Sequence, residues 1–163
     1  MSIALFWKKI NPWGNDRLIR IAVIDGQGGS IGSAIIRKIR QVYGEEVEIW
    51  ALGTNAISTS QMMKVRANRG ATGESAICHC VHQVDVVIGS ISILISNAMM
   101  GEVTPAMVQA TGAARALKLL LPLTSESVVL VGTTPAPLPH LVDELVSRHL
   151  SAIIRDKKCS LLP

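Results

Sequence analysis

A glycine-rich run near the start of the chain is the stretch best suited to hold a ligand. After the apolar residues 21–24, the sequence reads Asp25-Gly26-Gln27-Gly28-Gly29-Ser30-Ile31-Gly32. Glycine lets a ligand approach the backbone closely, and the first N–H groups of a helix attract an anion. The spacing G-x-G-x-x-x-G is a relaxed form of the dinucleotide-binding fingerprint. The residues predicted to bind the phosphate groups of a nucleotide are Gly26, Gln27, Gly28, Gly29, Ser30, Ile31 and Gly32. The alternative is a tight turn that joins a strand to a helix and binds nothing.

The residues after the second apolar run bear on the choice of cofactor. NAD-binding proteins carry an acidic residue about 20 positions after the turn, which accepts hydrogen bonds from the ribose. Here the second run ends in Gly53-Thr54-Asn55, with no acid. Thr54 and Asn55 can donate to a 2′-phosphate, and Arg66 or Arg69 can supply positive charge. The sequence predicts NADP or NAD as the ligand and favours NADP, unless these residues only close a loop.

Two carboxylates are candidates for acid–base chemistry. Asp25 stands at the mouth of the predicted phosphate site, where its charge repels an anion. We expect it to turn away and accept hydrogen bonds from the N–H groups of the turn. Glu102 is the only carboxylate between residues 86 and 114. It follows a third buried run together with the polar residues Ser90, Ser92 and Asn97, which are candidates for the second half of a pocket.

Other catalytic and metal-binding motifs are absent or weak. The sequence lacks G-x-x-x-x-G-K-[ST], which excludes a Walker-type nucleotide hydrolase. Tyr43 is the only tyrosine and is followed four residues later by Val47, so the tyrosine–lysine pair of short-chain dehydrogenases is missing. The run Cys78-His79-Cys80-Val81-His82 could place three metal ligands on one face of a strand. Its apolar spacing favours a helix, and we predict no metal site.

Apolar periodicity predicts an α/β fold. The predicted strands are 20–25, 47–52, 85–89, 118–121 and 128–131. The predicted helices are 31–43, 58–67, 76–84, 91–100, 105–111 and 139–153, and residues 68–74 are predicted to form a loop. Strands that alternate with helices indicate a three-layer, Rossmann-like domain with a mostly parallel sheet of about five strands. We place this domain at residues 20–154, between an N-terminal arm (1–19) and a C-terminal tail (155–163).

Composition limits the partners. The chain has 163 residues, of which 48% are hydrophobic, 17% charged and 3% aromatic, and its net charge is +4. Scattered basic residues and few aromatics do not indicate nucleic-acid binding. No run is long and apolar enough to span a membrane, and no secretory signal is recognisable. Three cysteines make a poor disulfide framework, so we expect a cytoplasmic protein.

Two features predict contacts with other chains. The run 86–114 is nearly free of charge, which suggests that a second copy of the chain covers it and that the protein is a homo-oligomer. Phe6, Trp7 and Trp13 lie among lysines and a proline near the N-terminus. This arm either packs on its own domain or docks on a protein partner.

Four segments together resemble a small bacterial family known only as a domain of unknown function. They are IAVIDGQGG at 21–29, ALGTNA at 51–56, ANRGATGE at 67–74 and NAMMGEVTP at 97–105. The resemblance covers residues 20–132 and implies a compact, Rossmann-like, cytoplasmic protein with no assigned activity and no known catalytic residues. The sequence departs from the family pattern at Ser30, at 78–82 and in the extensions at both ends.

Three hypotheses of function follow. The first is a nucleotide-binding, homo-oligomeric sensor or enzyme subunit. The second is a small enzyme that acts on a phosphorylated metabolite, with Asp25 and Glu102 as its acid–base pair. The third is a subunit that docks on a larger complex through the N-terminal arm.

Overall fold

The computed structural model describes residues 18–159, with side chains described through Arg155. The N-terminal arm, expected either to pack on its own domain or to dock on a partner, lies outside the described residues except for its last two positions. The strands are β1 (Ile19–Asp25), β2 (Val47–Gly53), β3 (Arg69–Thr72), β4 (Val86–Ser90) and β5 (Leu117–Leu121). They form one parallel sheet in the order β3-β2-β1-β4-β5.

Helices cover both faces of this sheet. They are α1 (Ser30–Tyr43), α2 (Ala56–Lys64), α3 (Glu74–Cys80), α4 (Pro105–Ala113), α5 (Leu138–Glu144) and α6 (Ser151–Cys159). A 3₁₀ turn spans Ile91–Leu94, and a π-helical turn, Leu145–Leu150, joins α5 to α6. Within the described part of the chain, no helix is both long enough and apolar enough to cross a lipid bilayer.

The core consists of two apolar clusters, one on each face of the sheet. Ile21 and Val23 of β1 point to the face covered by α1, where Ile35 is fully buried. Ala22 and Ile24 point to the other face, towards Ile77 of α3. Successive side chains of a strand alternate between faces, so a continuous apolar run fills both clusters. The predicted three-layer α/β fold is confirmed.

One of the five predicted strands was wrong. Residues 128–131 form no strand, and Val129 and Val131 are 87% and 95% exposed. Strand composition reflects packing on a pleated, half-buried surface, and these valines have no such surface beside them. The missing strand is β3, which was predicted as a loop. Backbone pairing with β2, from Trp50↔Arg69 to Gly53↔Thr72, forms this strand without an apolar pattern.

Two further elements differ from the sequence predictions. The helix predicted at 91–100 is only the 3₁₀ turn Ile91–Leu94, followed by a series of turns. The last helix continues to Cys159, through residues that were predicted to be a tail. In contrast, α1 ends at Tyr43 as predicted and begins at Ser30, one residue before its predicted start.

The chain order of the strands places a crevice at one edge of the sheet. From β1 the chain moves outwards to β2 and β3, and then crosses back to β4 and β5 on the other side of β1. Ligands of open α/β sheets bind at the carboxyl ends of the strands, at the point where the strand order reverses. That point lies between β1 and β4, directly beside the glycine-rich turn.

Candidate functional site

The turn after β1 folds around the carboxylate of Asp25. This side chain is 5% exposed and accepts hydrogen bonds from the N–H groups of Gly26 (2.8 Å) and Gly32 (2.7 Å). Burial raises the pKa of Asp25, as does the charge of Glu102, and the backbone donors offset this only in part. The carboxylate therefore turns away from the mouth of the site, as expected, and occupies N–H groups of the first turn of α1.

The glycines of the turn have two different environments. A Cβ on Gly29 would lie 2.8 Å from the Cα and the carbonyl oxygen of Ser58, and the φ of Gly29 is +69°. A Cβ on Gly32 would lie 2.5 Å from Sδ of Met62. Gly28 has no atom within 4 Å of such a Cβ and is exposed. Gly29 and Gly32 are thus required by packing, whereas Gly28 leaves open space.

A second carboxylate, that of Glu102, reaches the turn from the connection between β4 and α4. Its Oε2 accepts hydrogen bonds from the N–H of Gln27 (2.8 Å), Oγ1 of Thr54 (2.5 Å) and Nδ2 of Asn55 (2.9 Å). Burial raises the pKa of Glu102, but the hydrogen bonds from Thr54, Gln27 and Asn55 outweigh it, so the pKa lies below its usual value. A negative charge therefore stands between the turn and the end of β2.

The loop that carries Glu102 has an unusual backbone. Asn97, Met99 and Met100 have φ values of +62°, +57° and +59°, which non-glycine residues adopt at a cost of about 1–3 kcal/mol each. Met99 is 8% exposed, and a Cβ on Gly26 would lie 2.6 Å from its Sδ. The N–H of Met99 donates to Oε1 of Glu126 at 3.0 Å. Packing and hydrogen bonds thus hold this loop over the first glycine of the turn.

A cleft of about 380 Å³ opens beside the turn. Small-molecule sites commonly measure about 300–1,000 Å³. The residues that line it are Asp25, Gly26, Gln27, Gly28, Ser30, Ile31, Ser90, Ser92, Met99, Leu123, Thr124, Ser125 and Leu138. Apart from Asp25, none of these described lining residues has a charged side chain. The polar lining consists of main-chain groups, one amide side chain and hydroxyls, among which Oγ of Ser92 donates to Oγ1 of Thr124 at 3.0 Å.

The cleft gathers some of the predicted site residues and leaves others outside it. Five residues of the turn line it, together with Ser90 and Ser92 from the end of β4. Thr54 and Asn55 lie on the other side of the turn and bind Glu102. The lining also includes residues that the sequence did not predict: Met99, Leu123, Thr124, Ser125 and Leu138. Residues 123–125 follow β5 directly, and their position after a strand is the one signal that could have identified them.

Arg69 does not lie where it was predicted. It begins β3, pairs with Oε1 of Glu48 at 3.0 Å and stacks over the ring of Trp50 at 5.4 Å. Because β3 runs from Arg69 towards the carboxyl edge of the sheet, the strand itself carries Arg69 away from the turn. Arg66 pairs with Glu45 at 2.7 Å. Neither arginine lines the cleft.

Two other regions carry groups that could serve as a site: the cysteines of α3 and a cavity along β5. Cys78 and Cys80 lie in α3, and among the described residues no group of three or more histidine, cysteine or acidic side chains could hold a metal ion. Burial raises the pKa of both thiols. A cavity of about 580 Å³ lies along β5 and includes Lys118, Glu144 and His149. It shares no lining residue with the glycine turn.

Fold and site together define a Rossmann-like α/β protein with a glycine-rich turn at the reversal point of its sheet. The chain belongs to the family described as Domain of unknown function (DUF3842), whose model matches residues 20–154. This confirms the resemblance inferred from the four sequence segments.

Curated proteins and solved structures add little to this family assignment. No curated protein matches the chain. Among solved structures, the chain is similar to a universal stress protein in complex with cAMP, with 15% identity and a TM-score of 0.36. That match covers 64% of this chain and 98% of the other.

Proposed function

We propose that this protein binds a nucleotide in the cleft between the carboxyl ends of β1 and β4. One observation carries the proposal: the open part of the glycine turn lines a cleft at the reversal point of a parallel sheet. Gly28 and Ser30 are exposed there, at the N-terminus of α1. Backbone N–H groups and the positive end of a helix dipole attract a phosphate.

The remaining lining suits a sugar more than a second strong anion. Ser90, Ser92, Thr124 and Ser125 provide hydroxyls that can donate to or accept from a ribose. No described lysine or arginine lines the cleft, and two carboxylates lie at the turn. The charge balance therefore favours a ligand with few negative charges. The glycine spacing favours a dinucleotide, and of NAD and NADP the charge balance favours NAD, which lacks the 2′-phosphate.

Calorimetric titration of the full-length protein with AMP, NAD and NADP tests the proposal. Gly28→Asp adds a negative charge in open space, and a charge about 4 Å from a phosphate weakens binding by about tenfold or more. Gly112→Asp is the matched control, because Gly112 lies in α4 and also has no atom within 4 Å of a Cβ. Gly112→Asp is expected to bind as the wild type does. The proposal fails if none of the three nucleotides binds, or if both variants bind equally well.

We also propose that the protein is a homo-oligomeric sensor or enzyme subunit. Met100, Val129 and Val131 are 96%, 87% and 95% exposed, and exposed apolar side chains are candidates for a surface that joins copies of a chain. Light scattering on a sizing column measures the oligomeric state. Val129→Asp is expected to lower the mass if this surface joins copies, whereas Ile57→Asp, on α2, is the control. Equal masses for both variants and the wild type would place the interface elsewhere.

A further inference from the structure

Glu102 stands where dinucleotide-binding folds carry an acid for the ribose. In those folds the acid lies at the end of the second strand and accepts hydrogen bonds from the ribose hydroxyls. Here the end of β2 carries Thr54 and Asn55, and both donate to Oε2 of Glu102. The carboxylate thus reaches the same place from the other half of the sheet, 48 residues after Thr54.

We propose that Glu102 recognises the adenosine ribose of a nucleotide, on the β2 side of the turn and not among the hydroxyls of the cleft, and selects a free 2′-hydroxyl over a 2′-phosphate. This inference rests on the proposed nucleotide binding. A carboxylate has about four acceptor positions on its two oxygens. The three hydrogen bonds from Gln27, Thr54 and Asn55 all fall on Oε2. Glu102 is partly exposed, and its Oε1 takes none of these three bonds, so this oxygen can accept from a hydroxyl.

Charge separates the two kinds of ligand. A ribose hydroxyl donates to Glu102, whereas a 2′-phosphate repels it and also repels Asp25, which lies on the same turn. The nearest candidates to neutralise a 2′-phosphate were Arg66 and Arg69. They pair with Glu45 and Glu48 instead, away from the turn. The described side chains therefore offer a 2′-phosphate no positive partner at the end of β2.

The backbone of the loop supports a role beyond packing. Asn97, Met99 and Met100 hold left-handed conformations, and such residues cluster at functional sites where the surroundings fix them. Hydrogen bonds within the loop fix this path, including those from Asn97 N–H to the Val103 carbonyl (2.7 Å) and from Gly101 N–H to the Asn97 carbonyl (3.0 Å). This backbone conformation places the Glu102 carboxylate against the turn.

A matched pair of ligands tests the inference. AMP and adenosine 2′,5′-bisphosphate differ only in the 2′-phosphate. Calorimetric titration of the full-length wild type is expected to show AMP binding about tenfold tighter or more, the effect of a like charge about 4 Å away in partly exposed surroundings. Glu102→Gln keeps the size of the side chain and removes its charge, so the ratio of the two dissociation constants is expected to fall to about threefold or less. Glu144→Gln, on α5, is expected to keep the wild-type ratio.

The outcomes separate this inference from the proposed function. If neither nucleotide binds the wild type and NAD and NADP also fail to bind, nucleotide binding itself is wrong. If nucleotides bind but the bisphosphate binds as well as AMP, or Glu102→Gln keeps the wild-type ratio, then only the role of Glu102 is wrong. Thermal melting checks the fold of each variant. Should Glu102→Gln not fold, Glu102→Asp keeps the charge and is expected to keep the preference for AMP.

Discussion

The glycine-rich turn has a packed half and an open half, although the two are interleaved in the sequence. The packed half consists of Asp25, Gly29 and Gly32, which lie against backbone amides, Ser58 and Met62. The open half consists of Gln27, Gly28 and Ser30, which are exposed and line the cleft. The same motif therefore uses different residues for folding and for the proposed ligand binding. A glycine count alone does not distinguish them.

The largest expected difference between the halves is in stability, on adding one methyl group. Gly29→Ala places a Cβ at a positive φ and 2.8 Å from the backbone of Ser58. Strain and overpacking together are expected to lower the free energy of unfolding by about 2–4 kcal/mol. Gly28→Ala meets no atom and is expected to change it by about 0.5 kcal/mol or less. Urea denaturation measures both, and equal losses would remove the distinction between the halves.

The carboxylate of the packed half gives the next largest effect. Asp25→Asn leaves one oxygen to accept from two buried N–H groups, those of Gly26 and Gly32. One donor then lacks an acceptor, and the free energy of unfolding is expected to fall by about 1–3 kcal/mol. Asp143→Asn is the control, since Asp143 is exposed and pairs with Lys38 on the surface. An Asp25→Asn variant that unfolds at the same urea concentration as the wild type would show that the carboxylate does not organise the turn.

The residues of the turn also show how much of the fold and site the sequence predicts. The strand before the turn, the helix after it and the hydrogen bonds of Asp25 follow from local order, since all lie between Ile19 and Tyr43. Apolar periodicity and the glycine spacing suffice for such features. The same local signals predicted four of the five strands.

The failures involve partners that are distant in the sequence. Residues 128–131 have the composition of a strand but no neighbouring strand, whereas Arg69–Thr72 pairs with β2 despite its polar, glycine-containing sequence. Arg69 was placed in the site because a loop was predicted there. Glu102 was predicted as an acid–base group and a pocket residue, but no local pattern shows that it meets Thr54 and Asn55. Contacts of this kind depend on the order of strands in the sheet.

The smallest expected effect is a difference between Asp25 and Glu102 in how each contributes to stability as the pH changes. The pKa of Glu102 is lowered, so its contribution is present above the ordinary glutamate pKa of about 4.3 and is lost as pH falls through the lower folded value. The pKa of Asp25 is raised. Its contribution is therefore fully present below the ordinary aspartate pKa of about 3.9 and is lost as pH rises through the raised folded value.

Urea denaturation between about pH 7 and about pH 4 makes this contrast measurable. On acidification, the difference in unfolding free energy between wild type and Glu102→Gln is expected to shrink. The difference between wild type and Asp25→Asn is expected to change in favour of the wild type, because the protonated Asp25 no longer buries a charge. If both differences in unfolding free energy move in the same direction with pH, the pKa values of Asp25 and Glu102 are not shifted in opposite directions. The contrast between the two carboxylates is then wrong.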